Sequence, residues 1–131
     1  MWRRSAVGGA AKHRTRLTGR LGNLIIGYNE QALAGPPLPR EVRTGSHNLV
    51  VGDFHTYTSF GGFVAGNQNR VTHKHASVSG GTDNSASGAY SSVSGGHRNR
   101  ASGIAASVSG GQESYAVDEF NWAAGELFEP N

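Results

Sequence analysis

The sequence has 131 residues, a length typical of a single domain, with 36% hydrophobic, 8% aromatic and 16% charged residues and a formal net charge of +3. The scarcity of bulky apolar residues excludes an ordinary globular core, and the low charge argues against a solvated disordered chain. The absence of cysteine excludes a disulfide framework and a thiolate metal site. Twenty glycines, with many Ser, Ala and Asn residues, instead indicate a repetitive structure of small packed side chains.

The chain begins with a basic segment, residues 1–20, which contains six Arg or Lys residues and no acid. We predict a disordered arm here. Such an arm can bind nucleic acid or an anionic surface, but no nucleic-acid-binding module accompanies it, so we expect no specific nucleic-acid partner. No apolar stretch follows it as in a secretory signal, and no window approaches the length of a membrane-spanning helix. We therefore expect neither a signal peptide nor a membrane span.

A repeat with a short period occupies most of the remaining chain. Short apolar tripeptides are each closed by a glycine, and these predicted turn glycines are Gly27, Gly52, Gly66, Gly80, Gly95, Gly110 and Gly125. From Gly52 onward the successive spacings are 14, 14, 15, 15 and 15. A fixed short period is typical of a solenoid, so we predict a repeat domain over residues 21–125 and a tail over residues 126–131.

The first spacing, from Gly27 to Gly52, is 25 residues, which is 11 more than the 14 residues of the next spacing. Pro36, Pro37 and Pro39 lie within this stretch and oppose regular strand pairing. We therefore predict an inserted loop at about residues 28–44.

Each period also contains a second small apolar residue, which lies seven residues before the first; for example, Ala86 lies seven residues before Val93. Side chains alternate between the two faces of a strand, so we predict two short strands per coil, with Val or Ala inside, serines outside and glycine at the corner. The predicted core rows are Val64, Val78, Val93 and Val108 on one strand set and Val71, Ala86 and Ala101 on the other. Asn69, Asn84 and Asn99 precede the inner strands, where we expect turn conformations and an amide ladder between coils.

A layer of Val and Ala between two strand sets buries little apolar area. At roughly 25 cal/mol per Å² this burial does not offset the ordering entropy of the chain. Small domains with thin cores generally need metals, disulfides or partners, and only partners remain here. We therefore expect self-association.

The glycine-terminated units "SASG", "RASG", "SVSG" and "LIIG" resemble the "SxAxG" and "SxAIG" repeats in the head domain of trimeric autotransporter adhesins, the YadA-like heads. The resemblance covers residues 21–125. It implies a left-handed parallel β-roll, a homotrimer, a place at the cell surface and a host, matrix or cell-surface ligand. The coiled-coil stalk and the C-terminal membrane strands of full-length adhesins have no counterpart in this sequence.

No catalytic constellation is visible. His73 and His75 in "HKH" would share one strand face, a spacing that can hold a metal, but no carboxylate lies near them and an exposed polar face is the simpler interpretation. The segment "GGTDNSASG" shows the alternation of a calcium-binding repeat only once, and no nucleophile elbow is clearly placed. We predict no enzyme activity, no cofactor and no metal site.

The aromatic residues fall into two groups. Phe54, Tyr57, Phe60 and Phe63 lie within one coil, where packing at an end of the roll or over the "PPLP" loop is favoured over a ligand platform. Near the end of the sequence Phe120, Trp122, Leu127 and Phe128 predict a cap over the last coil.

Two functional hypotheses remain. The first is a surface adhesin-like structural and binding module, equivalent to an isolated head. The alternative is a phage tail-fibre-like or other solenoid that serves as a spacer or a receptor-binding tip. The genes nearby would separate the two, because a secretion pore and anchor accompany an adhesin and tail-assembly genes accompany a fibre.

Overall fold

The computed structural model describes residues 22–30 and 42–125, together with the backbone of residues 15–18. Every regular element in these ranges is a β-strand, so the predicted all-β solenoid with two short strands per coil is confirmed. The strands are β1 (Thr15–Thr18), β2 (Asn23–Ile26), β3 (Leu49–Asp53), β4 (Thr56–Tyr57), β5 (Phe63–Asn67), β6 (Arg70–Val71), β7 (Ser77–Val78), β8 (Ser85–Ala86), β9 (Ser92–Val93), β10 (Arg100–Ala101), β11 (Ser107–Val108), β12 (Tyr115–Ala116) and β13 (Trp122–Ala123).

The strands form two sheets between which the chain alternates from β3 onward. The long sheet has eight strands in the order β1-β2-β3-β5-β7-β9-β11-β13, and the short sheet has five in the order β4-β6-β8-β10-β12. Neighbouring strands are parallel and one coil apart, except that β1 runs antiparallel to β2. The turns that lead from the long to the short sheet form the first corner, and those that lead back form the second corner.

The core is the thin layer between the two sheets. Its long-sheet row runs in register through Ile25, Val50, Val64, Val78, Val93 and Val108. The opposing row is Tyr57, Val71, Ala86, Ala101 and Ala116. All of these side chains are at most 2% exposed, so the seven residues that the sequence analysis assigned to the core lie in it. The serines beside them differ: Ser94 is exposed, whereas Ser92 on the other side of Val93 is half-buried.

An asparagine ladder lines the first corner. The Oδ1 atom of Asn69 accepts the backbone N–H of Asn84 at 2.8 Å, and Oδ1 of Asn84 accepts that of Asn99 at 2.9 Å. The Nδ2 atom of Asn99 donates to the backbone carbonyls of Gly95 and Gly111, both at 2.8 Å. Each of the three asparagines is 1% exposed, so the ladder satisfies corner groups that water does not reach.

After β7 the coil period lengthens from 14 to 15 residues, and the additional residue lies in the first corner. The backbone pairs Gly52 with Gly66 and Asn67 with Thr82, so the glycine in register with Gly66 is Gly81. The additional residue is therefore Gly80. In the next two coils, Gly96 and Gly111 are in register with Gly81, so the predicted turn glycines Gly95 and Gly110 each lie one residue before the in-register glycine.

Steric space explains why glycine occupies the in-register position. A Cβ atom at Gly81 would lie 2.1 Å from the carbonyl oxygen of Gly96, and its φ is +77°. A Cβ atom at Gly80 would meet nothing within 4 Å. The other predicted turn glycines are Gly27 and Gly125, which lie in bends, and Gly52 and Gly66, which lie within β3 and β5.

The N-terminal end of the solenoid is covered by chain segments outside the repeat. In the long sheet β1 pairs with β2, so residues 15–18 of the basic segment form a strand rather than the expected disordered arm. In the short sheet the edge strand β4 is paired by residues 42–45, since Tyr57 N–H donates to the carbonyl of Val42 at 2.9 Å. Residues 28–30 and 42–45 lie outside strands, consistent with the predicted insertion, while 31–41 and 126–131 lie outside the described residues.

Candidate functional site

The two histidines considered for metal binding do not share a strand face. His73, Lys74 and His75 lie in a turn of the second corner, where His75 has a φ of +55°. In residues 22–30 and 42–125 no group of three or more His, Cys, Asp or Glu side chains is arranged to hold a metal ion. The strand-face expectation was wrong, because strand β7 begins only at Ser77.

The second corner instead carries an exposed aromatic column. The ring of His75 stacks on that of Tyr90, with centroids 5.6 Å apart and planes 17° apart. The ring of Phe60 meets His75 edge-on at 5.4 Å, and Nζ of Lys74 lies 5.2 Å from the Tyr90 centroid. We name Phe60, Lys74, His75 and Tyr90 the aromatic corner.

Coil stacking positions these side chains. The backbone N–H of His75 donates to the carbonyl of Phe60 at 3.0 Å, and that of Tyr90 donates to the carbonyl of Lys74 at 3.0 Å. Successive coils therefore present their corner residues one above another, about 4.8 Å apart. Phe60 and Tyr90 remain 48% and 53% exposed, so the column faces solvent. Of the four aromatic residues considered for end packing, Tyr57 alone is fully buried.

From β2 to β13, the residues that flank the core row on the outer face of the long sheet include no ionisable side chain. They are Leu24, Ile26, Leu49, Val51, Phe63, Ala65, Ser77, Ser79, Ser92, Ser94, Ser107, Ser109, Trp122 and Ala124. This face is apolar near β2, β3 and β5 and lined by serines near β7, β9 and β11, where Oγ of Ser92 lies 3.1 Å from Oγ of Ser107. The outer face of the short sheet, in contrast, carries exposed Arg70 and Arg100.

The first corner holds both the ion pairs and the buried titratable group. Arg98 lies between Asp83 at 3.4 Å and Glu113 at 3.6 Å, and all three side chains are more than half exposed, so these pairs contribute little stability. His55 is 1% exposed and occupies the ladder position that asparagine fills in the next coil.

The hydrogen bonds of His55 select one neutral tautomer. Nδ1 accepts the backbone N–H of Asn69 at 3.2 Å, so the proton lies on Nε2, which donates to the carbonyl of Val51 at 3.0 Å. Burial lowers the pKa of His55, and Arg43 acts in the same direction, while the hydrogen bond to the Val51 carbonyl and the nearby Asp53 oppose the shift. Sequence analysis missed this residue, although His55 lies one period before Asn69.

The last described coil is not capped by its own aromatic residues. Phe120 and Trp122 are 77% and 69% exposed, so they do not pack over the core as expected, and Leu127 and Phe128 lie outside the described residues. Trp122 instead lies along the outer face of the long sheet, where its Nε1–H donates to Oγ of Ser109 at 2.8 Å.

Comparison of the chain with protein-family models, curated proteins and solved structures gives no match. The class of protein, a parallel β-solenoid, therefore rests on the fold alone. In the part of the chain that the structure describes, no helix is long and apolar enough to cross a membrane.

Proposed function

We propose that the chain is a non-enzymatic structural and binding module that acts as a parallel homotrimer, equivalent to the head of a trimeric autotransporter adhesin displayed at a cell surface. The observation that carries this proposal is that, from β2 to β13, no residue that flanks the core row on the outer face of the long sheet has an ionisable side chain. The cores of protein interfaces are depleted of charged residues, whereas solvent-exposed faces usually carry them.

The thin core supplies the physical reason for association. The opposing rows consist mainly of Val and Ala, so one solenoid buries few large side chains. Covering the exposed Leu24 and Ile26 would remove further apolar surface from water. Closed symmetry limits such assembly to a finite complex, and the resemblance of the repeats to adhesin heads selects three copies.

Two matched serines test the interface. Ser92 is the first residue of β9 and Ser85 the first residue of β8, and both are half-buried on the outer face of their sheet. In a trimer that associates through the long sheet, Ser92→Glu brings three carboxylates into the interface, where burying them is costly. Ser85→Glu adds the same charge to the other sheet.

Light scattering at micromolar concentration distinguishes the outcomes. We expect about three times the chain mass of 13.7 kDa for the parent protein and for Ser85→Glu, and a monomer or a strongly weakened trimer for Ser92→Glu. A folded parent monomer would refute the trimer. Dissociation of Ser85→Glu rather than Ser92→Glu would place the interface on the short sheet.

A further inference from the structure

The backbone at the aromatic corner is costly for the side chains that it carries. Tyr90 and His75 have φ values of +61° and +55°, in the left-handed region, while Gly61 occupies the same position one coil before His75. This conformation costs roughly 1–2 kcal/mol for a residue other than glycine. Tyr90 is also 53% exposed, so burial does not compensate fully for that cost. Strain without burial favours a role in binding over one in stability.

The first corner provides the internal comparison. Its left-handed positions include Gln68, Asp83, Arg98 and Glu113, which are polar as expected for an exposed turn, and one aromatic residue, Phe54, one coil before Gln68. The second corner holds His75, Tyr90, Ala105 and Phe120 at the equivalent place in successive coils, with Phe60 beside His75. Backbone geometry alone does not require aromatic residues here, because the same conformation accommodates polar residues across the core.

The charge around the aromatic corner is positive. Four successive turns of the second corner, residues 58–62, 72–76, 87–91 and 102–106, contain Lys74 and no acidic residue. The adjacent outer face of the short sheet adds Arg70 and Arg100, two strands apart in register and therefore about 9.5 Å from each other. Among the described residues, Arg98 is paired with carboxylates, whereas Arg70, Arg100 and Lys74 have no carboxylate partner.

We propose that the aromatic corner binds a carboxylated sugar ring of an acidic glycan, with the ring against Tyr90 and Phe60 and the carboxylate on Lys74. Arg70 and Arg100 continue the contact with further acidic units of the same glycan. The assignment rests on the binding half of the proposed function and does not depend on the trimer, because all five residues lie on one protomer.

A glycan fits this surface better than a nucleic acid does. Duplex DNA carries about one charge per 1.7 Å of its axis, which is far denser than the three unpaired cations here. His75 and Tyr90 already stack on each other, which leaves no gap into which a base can insert. A pyranose ring needs only part of an exposed aromatic surface, and Tyr90 and Phe60 are each about half exposed.

The experiment titrates the full chain at low salt with trigalacturonate and with its methyl ester, which has the same rings but no charge. NMR shifts of the Tyr90 and Phe60 rings report the site. Tyr90→Asn removes the ring but keeps a residue that tolerates the left-handed conformation. Phe120→Asn is the matched control, because Phe120 has a φ of +60° in the same corner but lies two coils away, beside Asp118 and Glu119.

We expect trigalacturonate to bind and Tyr90→Asn to weaken binding about tenfold or more, with Phe120→Asn unchanged. Lys74→Gln should weaken binding of the acid and leave binding of the ester unaltered. Each Asn variant relieves part of the backbone cost, whereas Tyr90→Asn also loses the ring contacts with His75 and Lys74. We expect both variants to stay folded, and their melting temperatures show that lost binding does not reflect unfolding.

Three outcomes would overturn the assignment: no binding of trigalacturonate, equal binding of acid and ester, or unchanged binding by Tyr90→Asn. Tighter binding of single-stranded oligothymidylate at the same rings would assign the corner to nucleic acid instead. Light scattering on the same samples separates this result from the trimer, since a parent monomer that binds the acid refutes only the trimer.

Discussion

Removing one member of the asparagine ladder tests what holds successive coils together. Oδ1 of Asn84 accepts the backbone N–H of Asn99 at 2.9 Å, and its Nδ2 donates to the carbonyls of Gly80 at 3.2 Å and Gly96 at 2.9 Å. In Asn84→Ala the buried N–H of Asn99 loses its hydrogen-bond acceptor. We predict a large loss of stability from this single truncation.

The magnitude follows from these contacts. A buried donor left without a partner costs about 1–3 kcal/mol, and each lost hydrogen bond to a carbonyl costs roughly 0.5–1 kcal/mol more. Asn84→Ala should therefore lower the free energy of unfolding by about 2–5 kcal/mol, a large share of the ~5–15 kcal/mol typical of a folded domain. The two carbonyls retain other donors, namely Thr82 N–H for Gly96 and Asn69 Nδ2 for Gly80, which limits their contribution.

Urea unfolding followed by circular dichroism measures the effect, with Asn67→Ala as the matched control. Asn67 lies in the same corner, but its amide is half-buried and donates to the carboxylate of Asp53 at 2.9 Å. Its truncation leaves no buried backbone group unpaired and removes one hydrogen bond to a partly exposed carboxylate, so we expect a loss of about 1.5 kcal/mol or less. Equal losses in the two variants would show that the buried ladder does not couple the coils.

Two further predictions concern the first corner. Gly96→Ala should destabilise the fold strongly, because Gly96 has a φ of +89° and the new Cβ would lie 2.1 Å from the carbonyl oxygen of Gly111. Gly80→Ala is the control and should be nearly neutral, because a Cβ atom there meets nothing within 4 Å. Comparable melting temperatures for the two variants would contradict the register. Stability should also fall as the pH drops below about 6.5, because burial lowers the pKa of His55 and the unfolded chain takes up the proton more readily. In His55→Asn this part of the pH dependence should disappear, and melting curves from pH 7 to pH 4 that fall equally with and without the substitution would refute it.

Much of the repeat could be predicted because its signals are local and recur. The alternation around Val78, Val93 and Val108 predicts which side chain points inward, and each coil repeats the same pattern. The asparagines at 69, 84 and 99 recur at the coil period, so the amide ladder between coils could also be expected. The structure places all of these residues as the pattern indicates.

The candidate site could not be predicted in the same way. The sequence analysis placed His73 and His75 on a strand and considered a metal, whereas the coil register places His75 against Tyr90, one period later in the chain. The stack depends on which residues of successive turns are superimposed. The spacing of His75 and Tyr90 matches the period, but that spacing alone does not indicate that both lie in the second corner with their rings in contact.

The sequence by itself determined the class of fold, the period and the identity of the inward rows, because a strand alternates its side chains and a solenoid repeats them. Tertiary structure alone decided the place of the additional residue in the longer coils, the inclusion of His55 in the asparagine ladder and the column of Phe60, His75 and Tyr90. It also separated a sheet whose core row is flanked by residues without ionisable side chains from one that carries Arg70 and Arg100 on its outer face. These features depend on backbone hydrogen bonds between coils, which bring together residues about one period apart in the chain and set which of them touch.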